Sequence, residues 1–392
     1  MAHSCSTFID RTFMFGPCGQ DSNLGIVTMT KKSYSVVVMD GDGIGPEVVH
    51  EALRVLDAAA EKFHFRLDYL HVPAGDASLQ QFGDALPEKS VEAFASSDAC
   101  LKGPVGESVR TINDKLRFGF DLYANLRPAR SYPGICPPAL RPNIDMTVIR
   151  ENSEGFYRGL ETRLTPDLAT TTGVFSTRGA ERIAEFTFRY AKSKVRRPGL
   201  EPSVVLATKA NIFPQTHGMY LSAFEKLSHR YPQIGFHHYY ADALCAYLVR
   251  NPEKFDVIVS ENLLADLLSD LAGQVAGGLG MTPGTNINYE TKHAYFEPTH
   301  GCAPDIAGKG IADPIGQIRS GGLMLEYIGA VHGDSALRRA AIAIEKSIGS
   351  LLSKPKRLQL PQELGGEAGS KKVTDVLISK LKEDGETRTS FA

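Results

Sequence analysis

The sequence predicts an α/β protein built on a mostly parallel sheet. Three observations carry that expectation. Short β-branched apolar runs alternate with stretches of helical periodicity. Gly is frequent, at 37 of 392 residues, as many tight strand-to-helix turns require. The first such unit reads strand, glycine turn, helix. Composition agrees, since 42% hydrophobic and 22% charged residues are ordinary globular values and exclude a disordered chain. Lys and Arg number 43 against 45 Asp and Glu, a net charge of −2 that leaves no basic field for nucleic acid or an anionic membrane surface. No apolar run approaches the roughly 18 residues of a membrane span.

Residues 1–32 have weak periodicity and read as a disordered extension, with Met29 as an alternative start. They hold Asp10 and Asp21 and only Arg11 before Lys31, unlike an Arg-rich, acid-free mitochondrial presequence. A cytoplasmic protein is expected, with the mitochondrion as alternative. Residues 34–39 are a buried strand. Gly41, Gly43 and Gly45 follow, then Pro46 where proline favours a first helical turn, then a helix over 48–63. The glycine spacing is not the dinucleotide fingerprint, because the third Gly falls one position early, so a tight structural turn is the better reading. Further strands are expected at 146–149, 204–207 and 256–260, and helices at 178–193, 215–229, 263–272 and 315–328. The six cysteines form no C-x-x-C pair, which argues against a zinc knuckle, a redox dithiol or a disulfide framework.

Two groups of charged residues suggest chemistry. Asp266 and Asp270 are four apart and share a helical face among Leu267, Leu268 and Leu271. Like charges there repel, and hard Mg²⁺ or Mn²⁺ would relieve them. Spacing alone does not separate this from two solvated carboxylates, nor does it bring in Asp242 from 24 residues upstream of Asp266. Arg117, Arg127 and Arg150 fork onto carboxylates if they converge, and are ordinary surface groups if they do not.

Taken together, the ordered segments GDGIGPE (41–47), LKGPVG (101–106), DLYANLRP (121–128), VIRENSEGFY (148–157), KAN (209–211), NPEKFDVIVSENLLADLLSD (251–270) and FEPTHGCAPDIAGKG (296–310) resemble the isocitrate/isopropylmalate dehydrogenase family, the β-decarboxylating 2-hydroxy-acid dehydrogenases. The resemblance runs from about residue 34 to about residue 381 and leans to the isocitrate-like branch. It implies the isopropylmalate-dehydrogenase-like two-domain fold rather than a Rossmann fold. Residues 33–123 and 277–385 would form the large cofactor domain, and 124–276 a small domain with a dimer interface.

The resemblance also assigns roles. Arg117, Arg127 and Arg150 would hold substrate carboxylates, with Thr111 and Asn113 facing the third substituent of the malate. Tyr157 would return a proton after decarboxylation. Lys209 and Asp242 would enter from the neighbouring subunit of a homodimer or larger assembly with shared active sites. Asp242, Asp266 and Asp270 would ligate Mg²⁺ or Mn²⁺. Asn211, Glu297, His300, Gly301, Ala303, Asp305, Ile306 and Asp313 would meet the cofactor. Asp305-Ile306 stands where NADP-using relatives carry Lys-Tyr, so NAD is expected. The polar Thr111 and Asn113 favour isocitrate, oxidised and decarboxylated to 2-oxoglutarate, with 3-isopropylmalate, homoisocitrate, tartrate or a regulatory subunit as alternatives. Thr208, His217, Asp313 and Arg319 depart from the family's usual residues.

Overall fold

A computed structural model describes residues 33–135 and 139–383; the expectations for residues 1–32 lie outside the described residues. The chain runs β1 (Ser33–Met39), α1 (Gly45–Phe63), β2 (Arg66–His71), α2 (Asp76–Phe82), α3 (Glu88–Ser96), β3 (Ala99–Lys102) and α4 (Val109–Asn113). A π turn (Asp114–Phe118) leads to β4 (Ala124–Arg130), β5 (Asp145–Glu151), a hairpin of β6 (Gly155–Thr165) and β7 (Leu168–Val174), α5 (Thr177–Ser193), β8 (Ser203–Thr208) and α6 (Thr216–Ser228). Then follow β9 (Gly235–Tyr240), α7 (Ala241–Arg250), β10 (Val257–Ser260), α8 (Asn262–Ala276), β11 (Pro283–Asn288), β12 (His293–Pro298), α9 (Ile315–His332), α10 (Ser335–Ser353) and α11 (Ser370–Glu383).

Ten strands form one sheet in the order β2-β1-β3-β12-β11-β4-β5-β10-β8-β9, while β6 and β7 pair apart. Both flanks are parallel, as the alternating sequence pattern predicts. The centre is not: β12–β11, β11–β4 and β4–β5 are antiparallel. The expected elements are present; most are longer by one to five residues, while the strand expected at 256–260 begins at Val257 and the helix expected at 215–229 spans Thr216–Ser228. The helix expected from 48 begins at Gly45 because Pro46 sits in its first turn, where a missing N–H costs nothing. The two-domain division is kept as a proposal, since the sheet itself is continuous across it.

The glycine turn 41–45 locks two loops together. Ile44 N–H donates to Cys302 O at 2.9 Å, and Asp42 N–H to Pro104 O at 2.8 Å. Gly41 and Gly43 adopt φ of +75° and +60°, and a Cβ on them would lie 2.1 Å from Pro104 O and 2.0 Å from Cys302 O. The Asp42 carboxylate accepts N–H bonds from Asp76 (2.9 Å) and Gly106 (2.8 Å), tying the turn to α2 and to the segment after β3. The turn is thus a backbone junction, as its spacing suggests. Gly43→Ala should lower unfolding free energy in urea by at least about 2 kcal/mol, from the left-handed backbone and the carbonyl clash together. A loss below about 0.5 kcal/mol would show that the junction tolerates a side chain.

Candidate active site

The antiparallel centre places polar residues on one face through the period-two alternation of strands. Tyr295 and Glu297 on β12, Asn286 on β11, Asn125 and Arg127 on β4, and Arg150 on β5 are brought side by side by the register Tyr295↔Asn286↔Asn125↔Arg150. All are buried. Asn125 Nδ2 and Asn152 Nδ2 both donate to Asn286 Oδ1, at 2.7 and 2.9 Å, and Asn286 Nδ2 donates to Glu297 Oε1 at 3.0 Å. Helix α8 lies over this face. Its i, i+4 spacing presents Asn262, Asp266 and Asp270 together, and Glu261 caps its N-terminus by accepting from Leu263 and Leu264 N–H.

The three arginines converge here. Arg117, at the end of the π turn, donates Nε to Tyr295 Oη at 2.7 Å and Nη2 to Glu297 Oε1 at 3.1 Å. Arg127 donates Nη1 to Ser269 Oγ at 2.8 Å and stands 3.1 Å from both Asp266 Oδ1 and Asp270 Oδ1. Arg150 donates Nε to Asn262 Oδ1 at 2.8 Å and Nη1 to Asp266, and stacks 4.5 Å over the Tyr157 ring. Tyr157 Oη donates to the other oxygen of Asp266. Lys102 Nζ closes the group at 2.5 Å from Glu297 Oε2. Four cations, Lys102 and three arginines, thus face three carboxylates.

Electrostatics follow from this balance. Burial, followed by the repulsion of Arg127 and Arg117, pulls the Arg150 pKa down to about 10. Its Nη2 is buried with no partner. Burial opposes ionisation of Glu297, but Lys102 and Arg117 outweigh it and hold its pKa at about 2. Asp266 is likewise held low by Arg150 and Arg127 against burial, whereas burial pushes Asp270 up despite Arg127. Burial and the bond to Asp266 raise Tyr157, so its phenol keeps its proton at neutral pH.

The other expected residues are placed as follows. Thr111 and Asn113 lie on α4 ahead of Arg117, and neither side chain has a hydrogen-bond partner among the described residues; Ile112 between them is buried in the core. Lys209 follows β8 and bonds Asp242 Oδ1 at 2.7 Å, which lowers the Asp242 pKa. No recorded contact joins this pair to the arginine cluster of the same chain. Among the described residues no three His, Cys, Asp or Glu side chains lie close enough to hold a metal ion. Asn211 is exposed beside Lys209.

The loop after β12 carries the expected cofactor residues, with one difference: the Glu297 side chain turns into the arginine cluster instead of toward the loop surface. His300 Nδ1 is 3.0 Å from Gly301 O, while its Nε2 is buried without a partner and burial lowers its pKa. Space beside Gly301 is open, Ala303 holds φ +38°, Asp305 is exposed and Ile306 half-buried. An unpartnered imidazole nitrogen, an open backbone and an exposed acid suit a dinucleotide with free ribose hydroxyls. Asp313 is buried; Oδ1 accepts Ile315 N–H at 2.9 Å and so starts α9, and Oδ2 is unpartnered.

Sequence reasoning assigned no role to Lys102, Asn125, Tyr295 or Asn286; Lys102 and Asn125 lie within the segments 101–106 and 121–128 that carry the resemblance, whereas nothing local marks Tyr295 or Asn286. It also left four departures unexplained, of which Asp313 is placed above. His217 Nδ1 accepts the Lys209 N–H at 2.8 Å, and Thr208 Oγ1 lies 2.8 Å from His238 Nε2, so both brace the lysine segment. Arg319 is buried in the helix layer, donating to Glu345 (3.2 Å) and Met281 O (2.8 Å), away from the site.

Comparisons with known proteins bear on this geometry. The family model for isocitrate/isopropylmalate dehydrogenase matches residues 35–377. A 3-isopropylmalate/3-methylmalate dehydrogenase of Methanocaldococcus jannaschii is 38% identical over 351 residues, covering 90% of this chain and all of the relative. An isocitrate/homoisocitrate dehydrogenase of Thermus thermophilus is 37% identical, covering 89% of this chain and 99% of the relative. The crystal structure of isocitrate dehydrogenase from Methylococcus capsulatus superposes with a TM-score of 0.81 at 33% identity, covering 89% of this chain and 99% of that one.

Glu297 offers a direct test of the buried charge balance. Glu297→Gln removes one buried countercharge and should cost about 3–5 kcal/mol at neutral pH. Because the folded pKa of about 2 lies below the ordinary 4.5, the carboxylate's contribution is complete above pH 4.5 and fades as pH falls toward 2. The stability gap between wild type and variant in urea titrations should therefore narrow over that window; a constant gap would contradict the assignment.

Proposed function

The chain belongs to the isocitrate/isopropylmalate dehydrogenase family of β-decarboxylating dehydrogenases, and from that premise we propose that it oxidises and decarboxylates a 3-substituted malate, foremost 3-isopropylmalate or a smaller alkylmalate, with NAD and a divalent cation. The observation that carries a polycarboxylate substrate is the excess of buried cationic groups over carboxylates, with Arg150 Nη2 left unpartnered. The relative named for 3-isopropylmalate and 3-methylmalate favours the alkylmalate over isocitrate. A second reading, isocitrate or homoisocitrate, keeps support from the unpartnered polar Thr111 and Asn113 and from the Thermus relative.

Arg117, Arg127 and Arg150 grip the substrate carboxylates by forked hydrogen bonds. Asp266 and Asp270 supply hard oxygen donors of the kind Mg²⁺ or Mn²⁺ prefers, completed by Asp242 of a second copy. When bound, the cation would supply Lewis acidity and NAD would supply a hydride acceptor. Lys209, oriented by Asp242, His217 and the Thr208 pair, is placed to act in proton transfer from the substrate hydroxyl. Tyr157, whose phenol stays protonated, donates to the carbon that CO₂ leaves. Asp305 accepts hydrogen bonds from the adenosine ribose hydroxyls and repels a 2′-phosphate.

Sharing of the site between two chains rests on the separation of Lys209–Asp242 from the arginines within one chain. Exposed apolar residues flank both halves: Ile212 and Phe213 beside Lys209, and Leu267 beside Asp266, at 60%, 48% and 62% exposure. A second copy would cover them. No helix among the described residues is long and apolar enough to cross a membrane.

Purified protein with Mn²⁺ and NAD, assayed on 3-isopropylmalate, 3-methylmalate, isocitrate, homoisocitrate and tartrate, should give its highest kcat/KM on an alkylmalate, by at least about tenfold over isocitrate. Isocitrate turning over fastest would favour the second reading, and no turnover of any acid would contradict both.

A further inference from the structure

A cavity of about 360 Å³ lies beside the segments that carry Arg117 and Tyr157. Its walls are the next residues along, Phe118 and Arg158, together with the start of α5. Three guanidinium groups face it: Arg158, Arg178 and Arg182. They are not equivalent. Arg182 is committed to Asp121, donating from both Nη atoms, and to Ser153 Oγ at 2.9 Å, and its Nε is buried without a partner. Arg158 has only the Phe118 ring, 4.4 Å from its guanidinium carbon. Arg178 is exposed, and among the described residues neither Arg158 nor Arg178 has an ion pair or hydrogen bond.

The carboxylates at the cavity are already engaged. Asp121 holds Arg182, and Glu154 accepts from Ser176 N at 2.8 Å and from Ser176 Oγ, bracing the residue whose hydroxyl caps α5. Asp121 is thus paired, while Glu154 bonds only neutral donors, so three guanidinium groups face two carboxylates and the cavity keeps a net charge of +1. Two guanidinium groups without an ion pair at one concavity, each with a full fork of donors, are built to receive oxyanions.

We propose that this cavity is a second anion site, separate from the catalytic cleft, which takes a compact polyanion bearing a diphosphate or clustered carboxylates between Arg158 and Arg178. The site goes beyond the dehydrogenase reading and does not depend on the substrate. It stands one residue from the cluster at two points, Arg117–Phe118 and Tyr157–Arg158, and a third link runs through Asn262, which accepts from Arg150 and donates to Glu154 O at 3.0 Å. An occupant would therefore bear on the segment that positions Tyr157.

The test is calorimetric titration of the full chain at low ionic strength with pyrophosphate, and separately with tricarballylate, to distinguish the phosphate from the carboxylate source. Wild type should bind at least one of them, and Arg158→Gln/Arg178→Gln should weaken that binding by at least about tenfold while keeping its thermal melt. Lys371→Gln/Lys372→Gln, which removes the same charge from exposed positions on α11, should bind like wild type. No binding by wild type, unchanged binding by the arginine double variant, or an equal loss in both double variants would overturn the proposal; the last two would place the anion in the catalytic cleft or in the general field of the protein. Should the double variant fail to fold, Arg178→Gln alone, an exposed change in the first turn of α5, should still weaken binding at least about threefold, and unchanged affinity there would overturn the proposal equally.

Discussion

Three guanidinium groups and an ammonium withdrawn from water on one face of a sheet would each cost several kcal/mol if left alone. Asp266, Asp270 and Glu297 make the arrangement tolerable, and the geometry of the whole centre follows from delivering them. Glu297 must come from β12, which requires β11 and β4 to run antiparallel beside it. The aspartates must come from α8, which requires a helix capped at Glu261 and laid over β4 and β5. Asn286 joins the two halves by accepting from Asn125 and Asn152 while donating to Glu297.

On the proposed function, the same groups serve two states. Without ligands Arg127 and Arg150 occupy Asp266 and Asp270, so neither set is buried unpaired. With a cation on the aspartates and a polycarboxylate on the arginines, both sets exchange partners and the charge balance is kept. The lone unpartnered nitrogen of Arg150 and its lowered pKa mark where the balance is incomplete before substrate arrives.

Much of this was legible in the sequence where the signal is local. The β-branched run at 34–39, the glycine turn with its early third Gly and Pro46, and the helix carrying Asp266 and Asp270 four apart all match the structure. Of the antiparallel centre only β5 was legible, as the strand expected at 146–149. Strands β4, β11 and β12 bury Asn125, Arg127, Asn286 and Glu297, so they lack the apolar alternation that marks a strand with one face in the core. Partners far apart in sequence, such as Lys102 with Glu297 and Arg319 with Glu345, leave no periodic trace at all. His217 shows the same limit: it looks like a departure from a family pattern, and only the fold reveals that it receives the Lys209 N–H.

On the proposed function, the aspartates of α8 and the arginines beneath them form one site for a cation and a polycarboxylate together. Calorimetric titration of Mn²⁺ into the protein, with and without the best alkylmalate, tests it most directly. The account requires Mn²⁺ to bind at least about tenfold more tightly when the acid is present, because each ligand frees the other's residues from the arginine–aspartate pairs, and Asp270→Asn should abolish that coupling. Mn²⁺ affinity that is indifferent to the acid, or coupling that survives Asp270→Asn, would contradict it.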